Sequence, residues 1–346
     1  MLETNLCGIE LKNPLIPAAG PPTRDGESIL RLAKAGAGAI VAKTISLHPA
    51  QVPEPSLASI RGGFINSERW SEISYKNWLE REYPLALRGG VPVIGSIGYE
   101  PDELSTLAPL VERAGASAIE FSVHYVEHDP THLIEIAKAA REGVDIPVFA
   151  KLTLIPEIAQ IARRLEPWVD GFAAINSLGP ALVLDPSTRR PLVNGTSWLS
   201  GAAIKPMGLR AVYDIASAVR KPVMGVGGVS SGMDAIEYFI AGASAVQMCT
   251  SLILKGPGLI EKMRSEMTLW LTDHGYSSLE DIRGTIEAEY KTGYPEIDET
   301  VCNGCGICER LCPHYAIADC TIDKTRCQRC GLCVSICPRG AITWAL

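Results

Sequence analysis

The sequence predicts an α/β chain of two domains: a parallel (β/α)8 barrel over residues 1 to 294, and a small cysteine-rich domain over residues 295 to 346. Three observations support this prediction. Short, continuous apolar runs alternate with helix-length amphipathic stretches. Two connections between these runs are unusually long. Nine of the eleven cysteines fall between Cys302 and Cys337, which separates the tail from the rest of the chain.

Eight apolar runs give the predicted strands. Their side chains do not alternate between apolar and polar, so both faces of each strand should be buried, as in a parallel sheet covered by helices. Amphipathic stretches such as Asp102–Ala114, Thr131–Arg141, Pro206–Val219 and Met233–Ala241 are the crossover helices. A closed barrel is favoured over the alternative, an open doubly wound sheet. The strands, β1 to β8 in order, are Leu15–Gly20, Ala39–Thr44, Val91–Gly98, Ala118–Val123, Pro147–Thr153, Gly171–Ser177, Pro222–Gly228 and Ala245–Ser251.

The two long connections are predicted to be functional. Residues 45 to 90 follow β2 and contain several prolines, adjacent glycines and two tryptophans, and residues 178 to 203 follow β6. A compact fold rarely keeps connections of this length without a use for them. Both follow the carboxyl ends of strands, where barrel active sites are built.

Composition excludes several classes of function. The 346 residues are 47% hydrophobic and carry a formal net charge of −7, so no basic surface is expected for nucleic acid. No apolar run reaches the roughly 18 residues that a membrane span needs, and residues 1 to 14 lack a signal-peptide pattern. We therefore expect a cytoplasmic protein. No Gly-x-Gly-x-x-Gly motif follows a strand, so NAD(P)H is not expected to bind this chain itself.

The cysteine spacing predicts two [4Fe–4S] clusters. The tail contains the run C-x2-C-x2-C-x3-C-P twice, which is the spacing of bacterial two-cluster ferredoxins. In this pattern the fourth cysteine of each run ligates the other cluster, so Cys337 completes the first and Cys312 the second. Structural zinc is the alternative, but zinc sites space their cysteine pairs further apart. Cys320 is left over. The eight predicted ligands are Cys302, Cys305, Cys308, Cys312, Cys327, Cys330, Cys333 and Cys337.

Polar residues at the ends of the predicted strands suggest a binding site. Lys43 and Lys151 lie within apolar strands, where an ammonium group is costly unless it meets an anion or a hydrogen-bonding ring. The stretch Gly225-Val226-Gly227-Gly228 at the end of β7 and the stretch Cys249-Thr250-Ser251 in β8 fit the phosphate site that barrels commonly form after these strands.

Nine short motifs occur in a fixed order along the barrel. With them, and with the two-cluster tail, nearly the whole chain resembles the dihydroorotate dehydrogenase superfamily, and within it the flavin and ferredoxin portion of dihydropyrimidine dehydrogenases. The motifs are Lys12-Asn13-Pro14 with Ala18-Ala19-Gly20, Val41-Ala42-Lys43-Thr44, Phe64-Ile65-Asn66-Ser67, Ser96-Ile97-Gly98, Phe149-Ala150-Lys151-Leu152-Thr153, Ile175-Asn176-Ser177, Leu199-Ser200-Gly201-Ala202-Ala203-Ile204-Lys205-Pro206, Gly225-Val226-Gly227-Gly228-Val229 and Val246-Gln247-Met248-Cys249-Thr250.

The resemblance implies FMN at the carboxyl end of the barrel, alongside the two clusters. Asn66, Asn176 and Ser177 would contact the substrate. A cation such as Lys151 would stabilise the anionic reduced flavin. The residues that the resemblance assigns to FMN are Ala19, Gly20, Lys43, Thr44, Ser96, Lys151, Asn176, Ser200, Gly201, Gly227, Gly228, Cys249 and Thr250.

The chain departs from the family after β4. Relatives that act on pyrimidine rings read Asn-x-Ser-Cys-Pro or Asn-x-Ser-Ser-Pro there, and the residue before the proline transfers the proton. Here Glu120 replaces the asparagine and Val123, which cannot transfer a proton, replaces the acid or base. His124 is the first candidate for the missing group, followed by Glu120 and Tyr125. The alternative for Glu120 is a structural ion pair with a barrel lysine, and His124 could simply pack.

These observations predict an oxidoreductase that passes hydride between FMN and a small polar unsaturated substrate, while the clusters carry single electrons. The alternative is an electron-transfer subunit without substrate chemistry of its own. The expected electron partner is a ferredoxin or a separate FAD- and NAD(P)H-binding subunit, and the resemblance makes a homodimer plausible.

Overall fold

The computed structural model describes residues 1–122, 130–286 and 293–344. The chain divides into two compact units, Met1–Ile286 and Glu287–Leu346. The boundary predicted from sequence, between residues 294 and 295, lies eight residues after this division and directly precedes strand Pro295–Ile297.

The first unit is built on an eight-stranded sheet in which every neighbouring pair is parallel. The strand order is β1-β8-β7-β6-β5-β4-β3-β2, which runs round a ring without the reversal of an open doubly wound sheet. Gly38, just before β2, donates its N–H to Leu15 C=O on β1 (3.0 Å), so the two ends of this strand order meet and the predicted barrel is confirmed. The strands are Leu15–Pro17, Ile40–Val41, Val93–Ile97, Ala118–Ser122, Val148–Leu152, Gly171–Ala174, Val223–Val226 and Ala245–Met248.

Helices follow the strands with local signals that fix their ends. Helix Pro101–Arg113 has proline in its first turn, and the Ser231 side chain caps helix Gly232–Ile240 by accepting from Asp234 N–H. The other helices are Gly26–Lys34, Tyr75–Asn77, the π-helical Trp78–Glu82, Tyr83–Leu87, Thr131–Arg141, Ile158–Leu165, Lys205–Ala216, Thr250–Lys255 and Leu259–Asp273, with 3-10 turns at Pro21–Thr23, Ala202–Ile204 and Leu279–Ile282.

Two apolar layers hold the barrel together, because alternate residues of each strand point to opposite sides. Outward residues such as Ile119 and Phe121 pack against the helices. Inward residues such as Ala118 and Phe149 fill the barrel interior, together with Leu6 and Leu11. These two leucines come from the N-terminal hairpin of strands Thr4–Leu6 and Ile9–Leu11.

The two long connections form one structure. Strands from the connection after β2 pair with strands from the connection after β6, giving a four-stranded antiparallel sheet in the order Leu178–Ala181, Ser197–Ser200, Gly63–Asn66 and Leu57–Ile60. A small hairpin, Leu184–Asp185 with Arg190–Pro191, extends from the second connection. The two segments that the sequence marks as functional are thus held together by backbone hydrogen bonds.

The second unit has two similar halves. Helices Ile307–Leu311 and Leu332–Ile336 each follow a glycine with positive φ, Gly306 (67°) and Gly331 (79°). Two short antiparallel ladders accompany them: Pro295–Ile297 with Ile342–Trp344, and Ile317–Ala318 with Thr321–Ile322. In the described ranges of both units, no helix has the length and apolar character needed to cross a membrane.

Candidate active site

A cavity of about 290 Å³ opens at the carboxyl ends of the barrel strands. This is the end at which barrel enzymes carry their active sites. Its walls come from the strand ends and from the four-stranded sheet of the two long connections. The residues predicted from sequence that line it are Ala19, Gly20, Lys43, Thr44, Asn66, Glu120, Lys151, Asn176, Ser177, Ser200, Gly201, Gly227, Gly228, Cys249 and Thr250.

Ser96 is the one predicted FMN residue that does not line this cavity. Its side chain is fully buried, and its hydroxyl shares a 2.7 Å hydrogen bond with Thr44 Oγ1. Ser96 therefore orients the Thr44 side chain through this hydrogen bond and does not itself contact the cavity. Sequence reasoning could not separate the two because adjacent strands place both hydroxyls near the same strand ends.

The floor of the cavity is a layer of buried charged and amide side chains. Lys43 Nζ lies 2.5 Å from Glu68 Oε2. Lys151 Nζ donates to Gln247 Oε1 at 3.1 Å and to Glu120 Oε1 at 3.4 Å. Each lysine thus has a carboxylate partner, which offsets the cost of placing an ammonium group inside the barrel.

A cradle of backbone and hydroxyl groups forms one wall of the cavity. Gly201 and Gly228 have positive φ angles (83° and 72°). A Cβ on Gly228 would lie 2.7 Å from Lys205 Cβ and 3.0 Å from Gly201 O, so only glycine fits this close approach. Ser200 and Thr250 share a 2.8 Å hydrogen bond between their hydroxyls.

The same wall contains an unsatisfied polar atom. Ser251 Oγ is buried and has no hydrogen-bond partner within the described residues, although Ser251 lines the cavity. Buried polar atoms are normally paired, so an orphan at a cavity wall is consistent with a bound group supplying the partner. The orphan hydroxyl and the glycine cradle fit the phosphate end of FMN.

Cys249 packs against the predicted flavin segment. A Cβ on Gly20 would lie 2.7 Å from Cys249 Sγ, so these two segments are in close contact. Burial raises the pKa of the Cys249 thiol to about 11, despite the opposing effect of Lys151 and Lys43. A thiol in this state is no nucleophile at neutral pH.

The cavity lining also includes the two predicted substrate asparagines. Asn66 Nδ2 donates to Trp198 O (3.3 Å), and Asn176 Nδ2 donates to Ser122 Oγ (2.9 Å). Arg69 also lines the cavity; it is exposed and forms no hydrogen bond or ion pair within the described residues.

The candidate proton-transfer residues are only partly described. His124 and Tyr125 lie outside the described residues. Glu120 has no exposed surface, and its carboxylate accepts from Lys151 and from Gln247 Nε2 (2.5 Å). The structure therefore gives Glu120 the ion pair that was the alternative to a catalytic role.

The eight predicted cluster ligands fall into two groups of four. One cavity in the second unit is lined by Cys302, Cys305, Cys308 and Cys337, and another by Cys312, Cys327, Cys330 and Cys333. These are the two sets that the cross-ligation rule predicts. Four thiols around each cavity fit a [4Fe–4S] cubane. Cys320 lines the first cavity as well, with its sulfur 3.7 Å from Cys302 Sγ.

Comparison with protein families decides the relationship. The family model described as dihydroorotate dehydrogenase matches residues 1–81 and 117–271. The chain belongs to the dihydroorotate dehydrogenase family. Two matches to 4Fe-4S binding domains cover residues 294–317 and 320–343 of the tail. The family membership and the two cluster domains confirm the predicted oxidoreductase, with FMN and two [4Fe–4S] clusters as its cofactors.

Curated relatives match this chain over nearly their whole length. The catalytic subunit of dihydroorotate dehydrogenase B (NAD(+)) from Methanothermobacter thermautotrophicus is 36% identical over 299 residues, covering 82% of this chain and 98% of that protein. The subunits of the same description from Methanocaldococcus jannaschii and Pyrococcus furiosus are each 35% identical, covering 82% and 83% of this chain and 97% and 99% of theirs. About a fifth of this chain therefore has no counterpart in these relatives.

Several lining residues escaped sequence reasoning. Glu68, Arg69, Tyr99 and Lys255 all line the cavity, but none belongs to a motif named above. Proximity in the sequence was the available signal for two of them, because Glu68 and Arg69 follow Asn66 closely.

Proposed function

We propose that this chain transfers hydride between FMN in the barrel cavity and a small, polar, unsaturated substrate, with electrons delivered through the two clusters. The observation that carries the proposal is the cavity itself, where two buried lysines and a glycine cradle meet a polar wall. FMN would supply the interconversion of single-electron and hydride transfer. The chain supplies binding, orientation and protons.

The roles of the lining residues follow from their chemistry. The cradle of Gly201 and Gly228, with the hydroxyls of Ser200, Thr250 and Ser251, would hold the phosphate. Lys43 and Lys151 would hydrogen-bond the ring. An ammonium group has three N–H donors, and the hydrogen bonds of Lys151 to Glu120 and Gln247 use two of them, so the third would be directed to a group in the cavity.

The residues proposed to contact the substrate favour a substrate that carries a carboxylate. Asn66, Asn176 and Ser177 offer neutral hydrogen bonds, while Arg69 is a cation without an ion-pair partner among the described residues. Lys43 and Lys151 are each paired with a carboxylate, whereas the positive charge of Arg69 is uncompensated among the described residues. A substrate carboxylate would satisfy it with a bidentate pair.

Proton transfer is assigned to the segment after β4. The Glu120 carboxylate is engaged by Lys151 and Gln247, so we retain His124 as the proposed acid and Tyr125 as the second candidate. His124→Ala should then slow substrate turnover without lowering FMN or iron content, which flavin and iron assays on the same preparation would check.

The proposed electron partner is a ferredoxin or a separate subunit that binds FAD and NAD(P)H. The curated relatives are described as catalytic subunits, which supports a second polypeptide. The homodimer stays a prediction that analytical ultracentrifugation would test.

The deciding experiment is anaerobic. The protein is reduced with dithionite, and reoxidation of its flavin is followed against orotate, uracil, thymine and a panel of unsaturated acids with their amides. Orotate and uracil form a matched pair, since they share a ring and differ by one carboxylate. We expect the acids to reoxidise the flavin faster than their neutral counterparts. If no compound in the panel reoxidises the flavin, the result would favour the alternative of an electron-transfer subunit.

Two arginine variants test the charge argument. Arg69→Gln should lower the rate constant for the responsive acid about tenfold, the effect of losing one charge-assisted hydrogen bond worth ~1.5 kcal/mol, and should leave its amide unchanged. Arg61→Gln is the matched control, because Arg61 is exposed at the turn before strand Gly63–Asn66 and does not line the cavity. Equal losses for acid and amide would contradict a role in carboxylate recognition.

A further inference from the structure

Three inward-facing side chains from separate strands form a closed network beneath the cavity. Glu120 lies on β4, Lys151 on β5 and Gln247 on β8. Lys151 donates to both of the others, and Gln247 Nε2 donates to Glu120 Oε2, so each member contacts the other two. All three are buried, with exposed fractions of 0%, 5% and 0%.

The network places a carboxylate beside the cation that faces the flavin site. Glu120 Oε1 lies 3.4 Å from Lys151 Nζ, and both side chains are buried, so their charges are screened less than at the surface. The second cavity lysine, Lys43, is paired in the same way with Glu68. Neither lysine therefore presents an uncompensated positive charge to the cavity.

This arrangement bears on the energy of the bound flavin. Reduced flavin carries negative charge on its pyrimidine end, so a nearby cation favours reduction and a carboxylate behind that cation opposes it.

We propose that Glu120 is a positioning residue that fixes Lys151 and offsets its charge, which lowers the reduction potential of the flavin and favours reduction of the substrate over its oxidation. The inference rests on the proposed FMN site and adds the direction of the reaction. A flavin of lower potential is a stronger hydride donor, and the clusters supply the electrons that reduce it.

The test is the midpoint potential of FMN in the purified holoprotein. FMN is followed by visible absorbance, and the clusters are followed separately by EPR. Glu120→Gln should raise the FMN potential so that the ratio of reduced to oxidised flavin at a fixed poise increases at least tenfold, which is about 30 mV for a two-electron couple. Cluster potentials should not move. Glu120→Asn should shift the FMN potential in the same direction. This second variant replaces Glu120→Gln in the experiment if Glu120→Gln does not bind FMN.

Two further variants separate electrostatics from structure. Glu82→Gln is the control, because Glu82 is a buried carboxylate that accepts from Gly26 N–H (2.8 Å) and does not line the cavity. Its FMN potential should match that of the wild type. In a Lys151→Met background, Glu120→Gln should lose most of its effect, because the proposed action passes through the lysine.

The outcomes distinguish the two proposals. A wild-type protein that binds both clusters and no flavin would overturn the proposed function and this inference together. Bound flavin whose potential is unchanged or lower in both Glu120 variants would overturn the inference and leave the proposed function standing.

Discussion

Gly228→Ala should damage both the stability and the cofactor site of the barrel. Gly228 has a φ of 72°, and an L-residue in this region costs ~1–2 kcal/mol. The added methyl group would also lie 2.7 Å from Lys205 Cβ and 2.9 Å from Lys205 N. Backbone atoms cannot swing away, so overpacking adds ~1–3 kcal/mol. The expected loss is ~2–5 kcal/mol, against a typical total of ~5–15 kcal/mol.

Gly143→Ala is the matched control. Gly143 has a similar φ of 82°, follows helix Thr131–Arg141 at the surface, and a Cβ there would meet no atom within 4 Å. The control should therefore show only the ~1–2 kcal/mol backbone cost. The difference between the two variants isolates the collision in the cradle.

Urea denaturation followed by tryptophan fluorescence would measure the two stabilities, and flavin released by acid would give the FMN content of each variant. We expect Gly228→Ala to purify with much less FMN than Gly143→Ala. If Gly228→Ala matched the control in both stability and FMN content, the cradle would not be the close-packed phosphate site that the geometry suggests.

Three further predictions concern other parts of the chain. Cys337→Ser and Cys305→Ser should remove the same cluster signal by EPR because both residues line one cavity, whereas Cys330→Ser should remove the other signal. Burial acts to raise the pKa of Asp234, but hydrogen bonds from Lys205 and Ser230 outweigh this effect and hold the pKa below its usual value. Asp234→Asn should therefore cost ~1.5–3 kcal/mol at pH 7, a difference that urea titrations should find shrinking as the pH falls below about 4. Cys249, whose pKa is raised to about 11, should resist iodoacetamide at pH 8 until the protein is unfolded, as mass spectrometry of the alkylated peptides would report.

Much of the site could be predicted because its residues stand at strand ends. Lys43, Lys151 and Gly228 follow or lie within apolar runs, and parallel strands in a barrel bring their carboxyl ends to one face. Their common location therefore follows from the strand order alone. The cluster ligands were more certain still, since the spacing of thiolates along a short chain largely decides which cluster they can hold.

The partners of these residues could not be predicted. Glu120 and Gln247 are 127 residues apart, and their contact depends on the register of strands on different parts of the ring. The sequence allowed two roles for Glu120, proton transfer or a structural ion pair, and the tertiary structure shows the ion pair with Lys151. Ser96 shows the same limit, because only the packing of β3 beneath Thr44 removes it from the cavity wall.

The sequence by itself predicted the barrel, the family and the two [4Fe–4S] motifs of the tail, because each depends on local periodicity or short spacing. The tertiary structure decided which charges neutralise one another, how the two long connections pair into one sheet, and that the Ser251 hydroxyl at the cavity has no hydrogen-bond partner among the described residues. These features depend on contacts between distant segments, whose distances and angles are set only when the whole barrel closes.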